Sequence, residues 1–232
     1  MVLKKWEDLP KDMQCPEVRR YYDKLQEHSI GIVCKRFFDF SIALVLLIFF
    51  AIPMMIIALL IAVDSSGGVF YRQERVTMYG KKFKIHKFRT MVVNADKIGT
   101  QITVENDSRV TKIGKFLRRY RLDELPQLLD IIQGTMSFVG TRPEVPKYVN
   151  EYTDEMRATL LLPAGITSEA SIRYKDEDAL LNAADDVDKI YIEKVLPGKM
   201  KYNLYAIEKF SFWREIMTMI RTVFAVLGWK FT

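Results

Sequence analysis

Phe37–Val63 reads FFDFSIALVLLIFFAIPMMIIALLIAV, and from Phe40 onward it carries no charge. As a helix, the uncharged part would rise about 35 Å at about 1.5 Å per residue. That is enough to cross a hydrocarbon core of about 30 Å. The run does not read as a signal peptide: it starts far into the chain, acids and bases mix ahead of it, and no small-residue cleavage site follows. Pro53 falls inside it, where a missing N–H and a ring clash kink or break a helix. Both flanks are basic. Arg19, Arg20, Lys24, Lys35 and Arg36 precede the run; Arg72, Arg75, Lys81, Lys82, Lys84, Lys87 and Arg89 follow it. Positive charge on both sides favours two cytoplasmic ends. A helix that enters the bilayer, bends at Pro53 and returns satisfies that bias. A kinked spanning helix is the other reading, since prolines are tolerated in membrane helices.

Around this segment the composition is that of a globular chain. There are 232 residues, 49% of them hydrophobic, with a formal charge of +6. The basic balance suits an anionic partner such as a phosphorylated substrate, anionic lipid or nucleic acid. Two cysteines, Cys15 and Cys34, are too few for a disulfide framework and imply a reducing compartment. His28 and His86 lie far apart, so no His/Cys metal spacing exists. Nucleic acid is disfavoured by the lack of a recognition helix or an aromatic stacking strip.

Outside the apolar run, residues 1–33 are mostly polar; Tyr21, Tyr22 and Leu25 have the spacing of a short surface helix. VFYRQERV (69–76) and KKFKIHKF (81–88) flank a turn at Thr77-Met78-Tyr79-Gly80 and predict a β-hairpin. Thr111 to Tyr120 reads as a helix with Ile113, Phe116 and Leu117 on one face. A second helix is expected from about Glu124 to Gln133, stopped by Gly134. At the C-terminus Trp213, Ile216, Met217, Ile220, Val223, Phe224 and Leu227 make an apolar stripe, with Trp229 beyond. Such a helix packs on the core or lies in a membrane interface.

Between the two middle helices stands RRYRLDELPQLLDIIQG, Arg118 to Gly134. Asp123 at an N-cap, with Pro126 in the first turn, would be an ordinary helix start. Hydrogen bonds, the helix dipole and neighbouring arginines would then lower the Asp123 pKa and keep it ionised. An ionised carboxylate can attack phosphorus to form an acyl phosphate. Mg²⁺ on the Asp123–Glu124 pair, together with arginines, would offset the repulsion between anions. Arg118 is placed to hold phosphate oxygens. KFRTM supplies Lys87 and Arg89, and FVGTRPEVP supplies Arg142. Each cluster alone also fits a solvated basic edge or an ordinary turn.

Taken in order, KRFFDFSIAL, VFYRQERV, KFRTM, RVTKIGKFLRRYRLDELPQLLDIIQGTMSFVGTRP and AGITS resemble the bacterial sugar transferase family. These are the monotopic polyprenol-phosphate phosphoglycosyl transferases. The resemblance runs from about residue 34 to the C-terminus and suggests a small member without extra N-terminal spans. It implies transfer of a sugar 1-phosphate from a UDP-sugar to undecaprenyl phosphate with release of UMP, as the first membrane step of surface glycan assembly. It implies that Asp123 is the nucleophile forming a phosphosugar adduct, that Glu124 is its partner, and that Mg²⁺ is required. Lys87, Arg89, Arg118 and Arg142 match its substrate-binding motifs, and Pro53 matches the bend of its re-entrant helix. The implied fold is α+β, mainly helical with a small β-hairpin, a re-entrant Pro-bent helix and interfacial amphipathic helices. Residues 1–33 would be a polar extension and 34–64 the membrane helix. Residues 65–232 would be a catalytic domain on the cytoplasmic face of the bacterial inner membrane. Downstream glycosyltransferases would be its partners; a non-catalytic basic scaffold on the membrane surface is the alternative. The sequence departs from the family pattern at Gly67-Gly68 for Gly-Pro, at Thr141 for a proline, at Ala164 to Ser168, and at Ser171 to Lys175. Those departures bear on sugar recognition.

Overall fold

A computed structural model describes residues 2–95, 107–174, 180–181 and 186–226. The chain opens with helix α1 (Pro16–Glu27), where Pro16 suits the first turn. Leu9, Met13, Val18, Tyr21, Tyr22 and Leu25 are buried in the largest core cluster, with Val76, Tyr148, Leu161 and Leu196. The segment expected to be a surface helix is therefore a wall of the main core. Its polar residues face outward and its few apolar ones all point in. The next helix, α2 (Ser29–Asp64), begins at Ser29.

Helix α2 has 36 residues, contains Pro53, and is long and apolar enough to cross a membrane. Its surface is inside out. Lys35 and Asp39 are buried, while Phe37, Ile48, Phe49, Ile52, Leu59 and Val63 are exposed. The buried charges are satisfied: Lys35 Nζ donates to Val139 O (2.9 Å) and pairs with Glu215, and Ser137 Oγ donates to Asp39 Oδ2 (2.7 Å). Arg36 donates to Ile131 O (2.6 Å) and Ile132 O (3.0 Å). At the far end, Asp64 Oδ2 accepts from Ile113 N (3.3 Å). Both ends of the helix are thus tied to the same globular body.

The hairpin forms as expected, with β1 (Phe70–Val76) antiparallel to β2 (Lys82–Phe88) in the register Phe70↔Phe88 to Val76↔Lys82. Tyr79 and Gly80 turn it with positive φ. Helix α3 (Lys112–Arg119) is capped by Thr111, whose hydroxyl accepts from Gly114 N (3.0 Å). Helix α4 (Gln127–Gln133) is shorter than expected at its start and ends at Gly134 with φ 85°. Arg36 supplies donors to its last carbonyls, which a helix C-terminus leaves unpaired.

The sequence did not announce a second sheet. β3 (Met136–Val139) pairs in parallel with β4 (Ala164–Thr167). Each strand has four residues, too few for a visible period. Helix α5 (Pro146–Val149) follows β3, and α6 (Glu169–Arg173) follows β4. Helix α7 (Val187–Ile190) leads through a π turn, Tyr191–Val195, into α8 (Leu196–Glu208).

The last helix, α9 (Phe212–Val226), settles how its stripe is used. Trp213, Met217, Ile220 and Val223 are exposed, while Thr218 is buried. Its polar face makes the internal bonds: Glu215 to Lys35, Thr218 Oγ1 to Glu169 Oε1 (3.2 Å), and Thr222 Oγ1 with Thr167 Oγ1 (2.8 Å). The helix is docked by polar groups and leaves its apolar stripe outward. Leu227, Trp229 and Lys175 lie outside the described residues.

Candidate active site

The two acids of the dyad do not start a helix. Leu122–Glu124 forms a single 3₁₀ turn, and the position before α4 is held by Pro126 without a side-chain cap. Arg121, just before the turn, adopts φ 57°. A left-handed arginine is a strained backbone that the surrounding structure must hold in place. The turn presents both acids at one end of β2, each 8% exposed.

They then face different ways. Glu124 Oε1 accepts from Lys87 Nζ (3.0 Å) and Arg142 Nη2 (3.0 Å), with Arg121 Nη1 at 3.9 Å. Burial disfavours its charge, yet Arg142, Lys87 and Arg121 together hold it well below the usual carboxylate range. Asp123 instead lines a cavity of about 470 Å³, and its Oδ1 is buried without a hydrogen-bond partner among the described residues. Here the expectation of a lowered pKa is reversed. Burial, then the charge of Glu124, pushes the Asp123 carboxyl up, against the pull of Lys87 and Arg118. Desolvation in the turn outweighs both those cations and the hydrogen bond from the backbone amide of Asp123 itself.

Lys87, Arg89, Arg118, Asp123 and Arg142 all line this cavity. Lys87 sits on β2 opposite Tyr71. Burial pulls its pKa down, while Glu124 opposes the fall. Arg118, on α3, is aimed by a bond from Nε to Thr90 Oγ1 (3.0 Å). Arg89 is engaged differently from expectation. Its Nη1 donates to Ser66 O (2.6 Å) and its Nη2 to Ser65 O (2.7 Å), so its fork clasps the loop after α2. A Cβ at Gly67, where φ is 118°, would fall 2.1 Å from Arg89 Nη1. The loop and the arginine are fitted to each other, and Arg89 also lines the cavity. His86 has a structural place: Nδ1 meets Asp130 Oδ1 (2.7 Å) and Nε2 meets Arg72 Nη1 (2.6 Å). It is not among the residues lining the cavity.

Sequence reasoning missed the far wall. Gln73, Arg75, Glu144, Tyr148, Tyr191 and Lys199 also line the cavity. Glu144 carried a signal, an acid two residues after Arg142 inside a quoted motif. Tyr191 and Lys199 carried none, being far away in the chain.

Among the described residues, no group of three His, Cys, Asp or Glu could cage a metal. Mg²⁺ does not require one. It keeps waters and takes one or two carboxylates plus substrate phosphates. The unpartnered Asp123 Oδ1 is the acceptor such an ion would use, and Glu124 stands next to it.

Asp123, its Oδ1 buried, shares one cavity with Lys87, Arg89, Arg118 and Arg142. The family model described as "Bacterial sugar transferase" matches residues 30–229. This chain belongs to the bacterial sugar transferase family. Its family relatives include the UDP-N-acetylgalactosamine-undecaprenyl-phosphate N-acetylgalactosaminephosphotransferase of Aeromonas hydrophila. That protein is 30% identical over 216 residues, covering 88% of this chain and 48% of the relative. The UDP-glucose:undecaprenyl-phosphate glucose-1-phosphate transferase of Escherichia coli (strain K12) is 37% identical over 201 residues, covering 84% and 40%. A Bacillus subtilis (strain 168) protein, provisionally named an undecaprenyl-phosphate N-acetylgalactosaminyl 1-phosphate transferase, is 40% identical over 170 residues, covering 69% and 93%. The chain thus spans less than half the length of the first two family members and nearly all of the third.

Proposed function

We propose that this bacterial sugar transferase moves a sugar 1-phosphate from a UDP-sugar to undecaprenyl phosphate and releases UMP, at the cytoplasmic face of the bacterial inner membrane. The observation that carries the reading is Asp123, which lines a cavity with Lys87, Arg118 and Arg142 and whose buried Oδ1 has no hydrogen-bond partner among the described residues. In the first step, an Asp123 oxygen bonds to the phosphorus that carries the sugar. The bond from that phosphorus to the UMP oxygen breaks, and UMP leaves with the electron pair. In the second step, an oxygen of the lipid phosphate attacks the same phosphorus and the aspartyl–phosphorus bond breaks. One phosphoanhydride is lost and one is made, so no further energy source is required. Arg118 and Arg142 hold phosphate oxygens in line. Glu124 keeps Lys87 and Arg142 in place through its ion pairs. Mg²⁺, when bound, neutralises charge between the carboxylate and the phosphates.

The inside-out faces of α2 and α9 support a membrane seat for this site. Convergence supports the bend. On a straight helix Ala43 and Ile61 would be about 27 Å apart. Ala43 shares a cluster with Ile85, and Ile61 shares one with Phe88. Residues 85 and 88 lie only about 10 Å apart along β2. A turn at Pro53 brings both arms back to that strand. Tags at the two termini are therefore expected on the cytoplasmic side in intact cells. A tag at residue 1 reached by a membrane-impermeant protease would rule out the bend.

The test of the reaction is direct. Purified protein is incubated with Mg²⁺, undecaprenyl phosphate and a panel of UDP-sugars. At least one donor should yield UMP and a lipid-linked diphosphate sugar; silence with every donor would refute the assignment.

A further inference from the structure

The wall of the cavity away from α2 holds a donor–acceptor pair that the transfer step does not use. Glu144 Oε1 accepts the Tyr191 hydroxyl (2.6 Å), and no described residue donates to Oε2. Arg75 bridges to its neighbour: Nη1 donates to Pro143 O (3.0 Å) and Nη2 to Gln73 Oε1 (2.6 Å). With its carbonyl taken by Arg75, Gln73 is left with an amide NH₂ that bonds to no described residue. Arg75 Nε is itself buried and has no partner among the described residues. Glu144, Tyr191, Arg75 and Gln73 all line the cavity. A second clasp holds the wall, as the Tyr148 hydroxyl donates to Asp188 Oδ1 (2.5 Å) and the Tyr148 and Tyr191 ring centroids sit 4.6 Å apart.

We infer that Glu144 and Gln73, backed by Tyr148 and Tyr191, form a subsite that reads ring hydroxyls of the nucleotide-sugar donor. The inference rests on the proposed transferase reading. A hydroxyl both donates and accepts, so it needs a carboxylate oxygen and an N–H together. Glu144 Oε2 and Gln73 Nε2 supply one of each. A phosphate would be repelled by Glu144, which separates this wall from the cationic end. Glu144 lies two residues beyond Arg142. A ring bound there sits one linkage from a phosphate held by Arg142. Both the transferred sugar and the ribose of UDP stand in that relation to the diphosphate, and both offer neighbouring hydroxyls. The aromatic rings suit the apolar face of either.

Glu144→Gln is the informative change. The glutamine oxygen still accepts the Tyr191 hydroxyl, while the cavity-facing oxygen becomes an N–H. Loss of one hydrogen bond to a charged group should raise the donor KM about 10- to 100-fold. Inhibition by UMP decides the source: equal weakening assigns the subsite to ribose, and unchanged inhibition assigns it to the sugar. If neither donor KM nor UMP inhibition changes, the inference is overturned. The wild-type protein gives a second arm, independent of how the variant folds. UDP-sugars each lacking one sugar hydroxyl, and UMP lacking its 2′ or 3′ hydroxyl, are compared with their parents. At least one deletion should cost about tenfold; full tolerance of all of them overturns the subsite. Wild-type protein that turns over without any hydroxyl dependence removes this inference alone. Failure to turn over with any donor removes the transferase reading, and this inference with it.

Discussion

Asp123→Asn is expected to lower UMP release by at least about 10³-fold, the scale seen when a covalent nucleophile is removed. Intact-mass analysis should also lose the phosphosugar adduct. The substitution is nearly isosteric, so cavity shape is retained. What disappears is the anion able to bond to phosphorus. The same change is expected to leave the fold as stable as before at neutral pH, or more so. The sign follows from the direction of the shift. The folded-state pKa of Asp123 is raised by burial and by Glu124. A group raised on folding favours the folded state at pH below its unfolded pKa, and that contribution fades as pH rises through the folded value. At neutral pH the ionised Asp123 is therefore a cost to folding, which the neutral amide removes. Activity and melting temperature should move in opposite directions, or melting should hold still while activity is lost. The wild-type rate should fall in acid at a pH above the ordinary aspartate value of about 3.9. A variant that keeps turning over, or one that melts markedly earlier, would sink this account of the residue.

Much of this geometry was readable because it was written in local order. The apolar run, the hairpin, the capped helix after Thr111 and the acids following the arginines all declare themselves within a few residues. What was not readable depends on what each charge finds in space. Lys35 and Arg36 read as topological signals, but they are anchors, donating to Val139, Ile131 and Ile132 carbonyls about a hundred residues away. Arg89 reads as a phosphate holder, and its fork is engaged by Ser65 and Ser66. Asp123 reads as an N-cap, yet the helix begins four residues later. The amphipathic pattern of α9 gave its stripe but not which face is buried. Periodicity is symmetric between packing on a core and lying on lipid; only Thr218, Glu215 and Thr222 bonding inward breaks that symmetry.

Gly114→Ala tests whether the cationic end of the cavity depends on one close backbone approach. Propensity alone says the change should help, since alanine in a helix interior is favoured over glycine by about 1 kcal/mol. Contact says the opposite. A Cβ at Gly114 would lie 2.1 Å from Thr90 O, 2.8 Å from Thr90 C and 2.9 Å from Thr90 Cα. These are backbone atoms of the segment leaving β2, and Thr111 N already bonds to Thr90 O (3.0 Å). No side chain can swing aside, so α3 must lift. Arg118 rides on α3 and is aimed through Thr90 Oγ1. Lifting the helix therefore moves the arginine that faces Asp123. A misplacement of about 1 Å can cost about 10²-fold in rate. The expected result is a lower melting temperature together with a fall in kcat of about that size. Gly31→Ala is the matched control, because its nearest contact would be Phe210 at 3.5 Å, an ordinary distance. If the two variants melt and turn over alike, α3 does not press on Thr90 as described. The route by which the fold aims Arg118 would then have to be sought elsewhere.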